Sequence, residues 1–150
     1  MESQGYTISI EIAAKPDDVF DRINEVPKWF KGKGFEGSST KLNDEFVFRY
    51  GGGDDAHYSK QKLVEFIPGK KVVWLITDSK INWIENNKEE WTNTKVVFEL
   101  SGKGDKTMLQ FTHDGLVPAL NCYSNTVLGW DIIIKDWLFN YIMANNSFPA

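Results

Sequence analysis

One cysteine, Cys122, stands in the 150 residues, so no disulfide can close within the chain. The lack of paired thiols fits a reducing compartment. No run of about 18 apolar residues occurs, which leaves no candidate membrane-spanning helix. The polar stretch Met1 to Tyr6 lacks the apolar centre of a secretory signal. A cytoplasmic location, without membrane contact, is the expectation. Histidine is scarce as well. His57 and His113 lie far apart and form no zinc-like spacing with the one cysteine, so neither a metal site nor a cofactor is expected.

Other signals are missing. Gly51-Gly52-Gly53 lacks the lysine and following helix of a phosphate loop, and no dinucleotide fingerprint or nucleophile elbow occurs. Glu89-Glu90 and Asp54-Asp55 are adjacent pairs whose side chains diverge, which suits loop charges better than acid–base work. A basic excess is absent: the net charge is −4, and the one basic cluster, Lys28, Lys31 and Lys33, sits among glycines. Nucleic acid is therefore not an expected partner.

What the chain has in quantity is aromatic. Six Trp, ten Phe and five Tyr exceed what a minimal core requires. Such rings either fill a core or line a ligand pocket. From Tyr123 to Tyr141, apolar residues recur at Tyr123, Val127, Trp130, Ile134, Trp137 and Tyr141, alternating four- and three-residue steps. That spacing predicts one stripe of a long helix, running from about Leu120 to Ala144.

Most of what precedes it reads as strand. Tyr6 to Ile12 alternates with period two, and Asp44 to Tyr50 places Phe46, Phe48 and Tyr50 on one face. A strand from about His57 to Ile67 turns at Pro68-Gly69-Lys70 into Val72 to Thr77, which is apolar on both faces and so predicts a central strand or a covered outer surface. Lys95 to Ser101 and Thr107 to Asp114 form a hairpin, with Val96, Phe98 and Leu100 on one face of the first and Leu109, Phe111 and His113 together on the second. Between the first two strands, Pro16 with Asp17 and Asp18 opens a short helix carrying Val19, Phe20 and Ile23. Pro27 interrupts it before a second helical turn at Lys28-Trp29-Phe30, which Gly32 and Gly34 end. The order predicts one α+β domain over residues 1–150: a curved antiparallel sheet under a long C-terminal helix, with two short helices after the first strand.

Several motifs add a resemblance. Phe66-Ile67-Pro68-Gly69-Lys70-Lys71-Val72-Val73-Trp74, Glu90-Trp91-Thr92, and the run Phe111-Thr112-His113-Asp114-Gly115-Leu116-Val117-Pro118 are of this kind. With Cys122-Tyr123 and Gly129-Trp130, they resemble the helix-grip superfamily of START-like, Bet v 1-like or SRPBCC proteins. Within it the chain looks like bacterial relatives of the C-terminal domain of the Hsp90 ATPase activator Aha1. The resemblance implies seven antiparallel strands gripping the terminal helix, with a cavity between. Shared fold does not fix chemistry.

The expected ligand-binding surface comprises Phe46, Phe48, Tyr50, Trp74, Phe98 and Phe111 on the concave face, facing Tyr123, Val127, Trp130 and Ile134, with Trp29 and Phe30 closing one end. His113 belongs to the same set. Its imidazole could meet a ligand's polar group or carry a proton, or it could simply tie the last strand to the turn that follows. Cys122 near the helix start has no visible partner for nucleophilic work. The preferred expectation is a non-enzymatic module binding a small apolar or amphipathic molecule. The alternatives are docking on an Hsp90-type chaperone, as the resemblance implies, and a cyclase or dehydratase using His113. A homodimer through the outer face of 72–77 is permitted.

Overall fold

The computed structural model describes residues 5–31, 34–49, 58–80, 91–116 and 123–144. Tyr50, His57, Cys122, the 51–55 turn, Glu89-Glu90 and the expected helix start at Leu120 lie outside them. Seven strands form one antiparallel sheet: β1 (Gly5–Ile12), β2 (Gly34–Gly37), β3 (Glu45–Arg49), β4 (Tyr58–Ile67), β5 (Lys71–Lys80), β6 (Lys95–Lys103) and β7 (Lys106–Asp114). Their order is β1-β7-β6-β5-β4-β3-β2, a meander whose last strand receives the first along its free edge. β5 lies at the centre of the sheet and is buried on both faces: Trp74 is fully buried, and Val73 on the opposite side is 4% exposed.

Two short helices follow β1, α1 (Pro16–Ile23) and α2 (Val26–Trp29). Pro16 opens α1, where Asp17 and Asp18 meet the positive end of the dipole and Arg22 the negative end. Its buried residues are the expected Val19, Phe20 and Ile23. Between β4 and β5 the register shifts twice, at Lys60/Gln61 and Leu63/Glu65, bulges of the kind that bend a sheet.

The terminal helix consists of α3 (Tyr123–Ile132), a π-helical stretch over Ile133–Leu138, and α4 (Phe139–Ala144). The π stretch corrects the expected stripe. A turn closed by i→i+5 bonds takes one residue more than an α turn, and the Phe139 N–H does bond the Ile134 carbonyl. Beyond Ile134 the fully buried positions are therefore Leu138 and Ile142, not Trp137 and Tyr141, which pack at the margin of the core. Among the described residues, no helix is long and apolar enough to cross a membrane.

Two strand boundaries differ from the sequence reading. β2 was not expected, because Gly34-Phe35-Glu36-Gly37 has a single apolar residue between glycines and shows no alternation. β5 runs on to Lys80, since polar Asp78 and Ser79 still pair with Lys60 and Ser59 across β4.

Candidate functional site

Cross-strand register builds the concave face. Phe46 lies opposite Gln61, Phe48 opposite Ser59, Trp74 opposite Leu63 and Val96, and Phe98 opposite Phe111. Direct opposition puts each pair on one face. The rings then touch in series: Phe48 to Trp74 at 5.8 Å, Phe46 to Trp74 at 5.0 Å, Trp74 to Phe98 at 4.9 Å, Phe98 to Phe111 at 5.4 Å and Phe111 to Trp130 at 4.7 Å between centroids. Most are edge-on or tilted, the arrangement that ring quadrupoles prefer. One aromatic seam thus runs from β3 to the terminal helix, every member no more than 2% exposed.

Trp29 stacks on Trp74 at 6.5 Å, while its indole N–H donates to the Ile23 carbonyl at 3.0 Å and so closes α1 onto α2. Phe30 stacks on Phe48 at 4.0 Å and meets Trp137 edge-on at 5.7 Å. On the helix, Ile134 is fully buried, whereas Tyr123 and Val127 are partly buried against the core. Twelve of the thirteen residues assigned to the surface from sequence are therefore assembled about one interior, and Tyr50 lies outside the described residues.

Within this apolar wall one polar atom stands out. Trp74 Nε1 is buried and has no hydrogen-bond partner among the described residues. An orphaned buried donor costs about 1–3 kcal/mol relative to a satisfied one.

His113 is differently placed. It is fully buried on β7, and Trp130 Nε1–H donates to its Nδ1 at 2.9 Å. An indole nitrogen can only donate. The neutral imidazole must then carry its proton on Nε2, which donates to Thr94 Oγ1 at 2.8 Å. The Thr94 hydroxyl in turn donates to the Trp91 carbonyl. Trp91 completes the circuit: its Nε1–H donates to Thr126 Oγ1 on α3 at 3.3 Å, and its ring stacks on Trp130 at 5.8 Å. Burial pushes the His113 pKa down to about 3. With both nitrogens occupied and the ring neutral, His113 fastens β7 to the helix.

Sequence reasoning missed Trp91, Thr94 and Thr126 as partners of this circuit. The sequence signals were the Glu90-Trp91-Thr92 motif and Gly115, two residues after the histidine; Gly115 has φ +103°, and a Cβ there would sit 2.7 Å from Thr94 Cγ2. The absence of a side chain lets Thr94 reach the imidazole.

No family model and no curated protein matches the chain. Solved structures do. A solution structure of the Aha1 dimer from Colwellia psychrerythraea is similar at TM-score 0.71 and 20% identity, over 93% of this chain and 96% of that one. CalU16 from Micromonospora echinospora is similar at TM-score 0.66 and 17% identity, over 94% and 77%. The AHSA1-like protein from Aeromonas hydrophila is similar at TM-score 0.62 and 14% identity, over 93% of each. The fold is the helix-grip fold that the sequence resemblance implied.

Proposed function

We propose that the protein is a non-enzymatic binding module that holds a small apolar or amphipathic molecule between the sheet and the terminal helix, with the Trp74 indole N–H as its polar anchor. The Nε1 at the centre of the aromatic seam, without a partner among the described residues, carries this reading. A carbonyl or ether oxygen supplied by the guest satisfies that donor, and its apolar remainder packs against Phe46, Phe48 and Phe98. Binding sites of this kind combine a largely apolar lining with few, well-placed polar groups. The two hydrogen bonds that occupy His113 support this reading over an enzymatic one that would use the imidazole.

The experiment is a titration followed at the six indole N–H resonances, using medium-chain fatty acids, steroids and flavonoids as probes, with Trp74 identified from Trp74→Phe. The expected result is a saturable shift of the Trp74 signal and loss of binding in the variant. If every probe leaves that resonance in place, the reading fails.

For a protein partner, one observation favours a second copy over a chaperone: the Colwellia neighbour is itself a dimer. Sedimentation equilibrium of the full chain tests it, with a monomer at high concentration as the contrary result.

A further inference from the structure

We infer that the outer edge of β2 is a peptide-docking site, where an extended segment of a partner protein adds as a further strand. The Ser38 N–H bonds the Glu45 carbonyl, and the register pairs Glu36 with Val47 and Gly34 with Arg49. β3 accordingly turns its backbone at Glu45, Val47 and Arg49 toward β2, and at Phe46 and Phe48 toward β4. By the same alternation, the N–H and C=O of Phe35 and Gly37 point away from the sheet. Neither has a backbone partner beyond that edge among the described residues.

Chains guard such an edge with charged side chains, proline, a bulge or very short length. Gly34-Phe35-Glu36-Gly37 has neither lysine nor proline, and its guards are its four-residue length and Glu36. A groove of about 300 Å³ is lined by Phe35 and Gly37 of β2 together with Asn24, Pro27 and Lys28. It meets a second groove of about 420 Å³, floored by Phe20, Phe66 and Pro68, at the shared residues Asn24, Glu25 and Thr40. Both volumes fall in the range of ligand sites, about 300–1,000 Å³.

The junction supplies an independent sign of a missing partner. Asn24 is 5% exposed, its Nδ2 donates to the Phe20 carbonyl, and its Oδ1 has no partner among the described residues. A guest N–H is what that acceptor lacks. Local charges, by contrast, are already matched: Glu25 contacts Arg22 at 2.8 Å and Lys28 at 3.7 Å. The guest's contribution is thus main-chain hydrogen bonding along Phe35 and Gly37, with an apolar side chain over Phe20 and Phe66, the pattern of strand addition. The rim is held in shape. Asp44 Oδ2 accepts from Ser38 Oγ and from the Thr40 and Lys41 N–H groups at 2.7, 3.0 and 3.1 Å.

Selection of a random twelve-residue display library on the full chain provides the probe peptides. Thr40, exposed and common to both grooves, is the blocking position. Bound peptides are expected to slow amide exchange at Phe35 and Gly37 at least tenfold, and Thr40→Trp is expected to weaken them at least tenfold at unchanged Tm. Trp74→Phe is expected to bind them normally, which separates this edge from the interior site. The proposal is overturned if no peptide enriches or if exchange at Phe35 and Gly37 is unaltered. Full affinity for Thr40→Trp overturns it too, as does self-association through this edge that Thr40→Trp abolishes.

Discussion

Trp130 and His113 share a buried hydrogen bond of 2.9 Å in which the indole nitrogen is the donor and the imidazole Nδ1 the acceptor. This one contact fixes the tautomer of the ring and the direction of each further bond, through Thr94 to Trp91. Replacing Trp130 by Phe leaves Nδ1 buried without a donor. The expected loss is about 3 kcal/mol or more, a missing hydrogen bond plus lost packing. Urea unfolding measures it, and ¹⁵N spectra of the imidazole report whether the Nε2–H tautomer persists.

Acid should act through the same ring. The folded pKa of His113 is about 3 against an ordinary 6.5, lowered because burial disfavours the charged ring. Between those values the unfolded chain binds a proton that the folded chain refuses. The contribution is therefore whole above pH 6.5 and falls as pH drops toward 3, by about 1.4 kcal/mol per unit. His113→Gln keeps a donor toward Thr94 and removes the titrating nitrogen. Its stability is expected to decline less steeply over that window than the wild type's, as equilibrium unfolding at stepped pH will reveal.

Gly115 and Thr94 form a test of fit. Gly115→Ala sets a methyl against Thr94 Cγ2 at a φ that L-residues avoid, at an expected cost of about 2–4 kcal/mol. Thr94→Ser deletes the opposing methyl but retains the hydroxyl that His113 needs. The double variant should recover part of the loss, leaving only the backbone strain. A double-mutant cycle with no coupling would contradict this geometry.

Two tyrosines clamp the terminal helix. Tyr6 on β1 donates to Asp131, and Tyr141 on α4 donates to Glu25 between α1 and α2. Burial first, then the bonded carboxylate, raises each phenol to about 12. These contributions are intact below pH 10 and are lost as pH climbs toward 12. Tyr6→Phe and Tyr141→Phe are each expected to cost about 1 kcal/mol, additively because they lie at different ends of the helix. Calorimetry of the singles and the double checks both points.

Much of the architecture was legible because the signals were local. Alternation at Tyr6 to Ile12 and at Lys95 to Asp114 marks strands whatever their neighbours, and Pro16-Asp17-Asp18 marks a helix start. β2 was invisible, since its strand character comes from pairing with Phe46 to Arg49 and not from its own residues. The site was legible as a set of rings but not as a network. Phe98 and Phe111 announce a shared face by spacing alone, whereas the meeting of Thr94, Trp91 and Thr126 around His113 depends on loop paths that no periodicity encodes. The Trp74 and Asn24 orphans are likewise facts of three-dimensional neighbourhood.

The wide turn at Ile133–Leu138 means that the terminal helix holds a surplus residue relative to the length it spans. Lys135 and Asp136, both solvent-facing, are where a one-residue deletion would let the ladder revert to ordinary winding while Leu138 and Ile142 kept their seats. Lengthening the same turn offers no such return. Sequence-length variation in this protein should therefore be asymmetric at that point, tolerant of shortening and intolerant of growth.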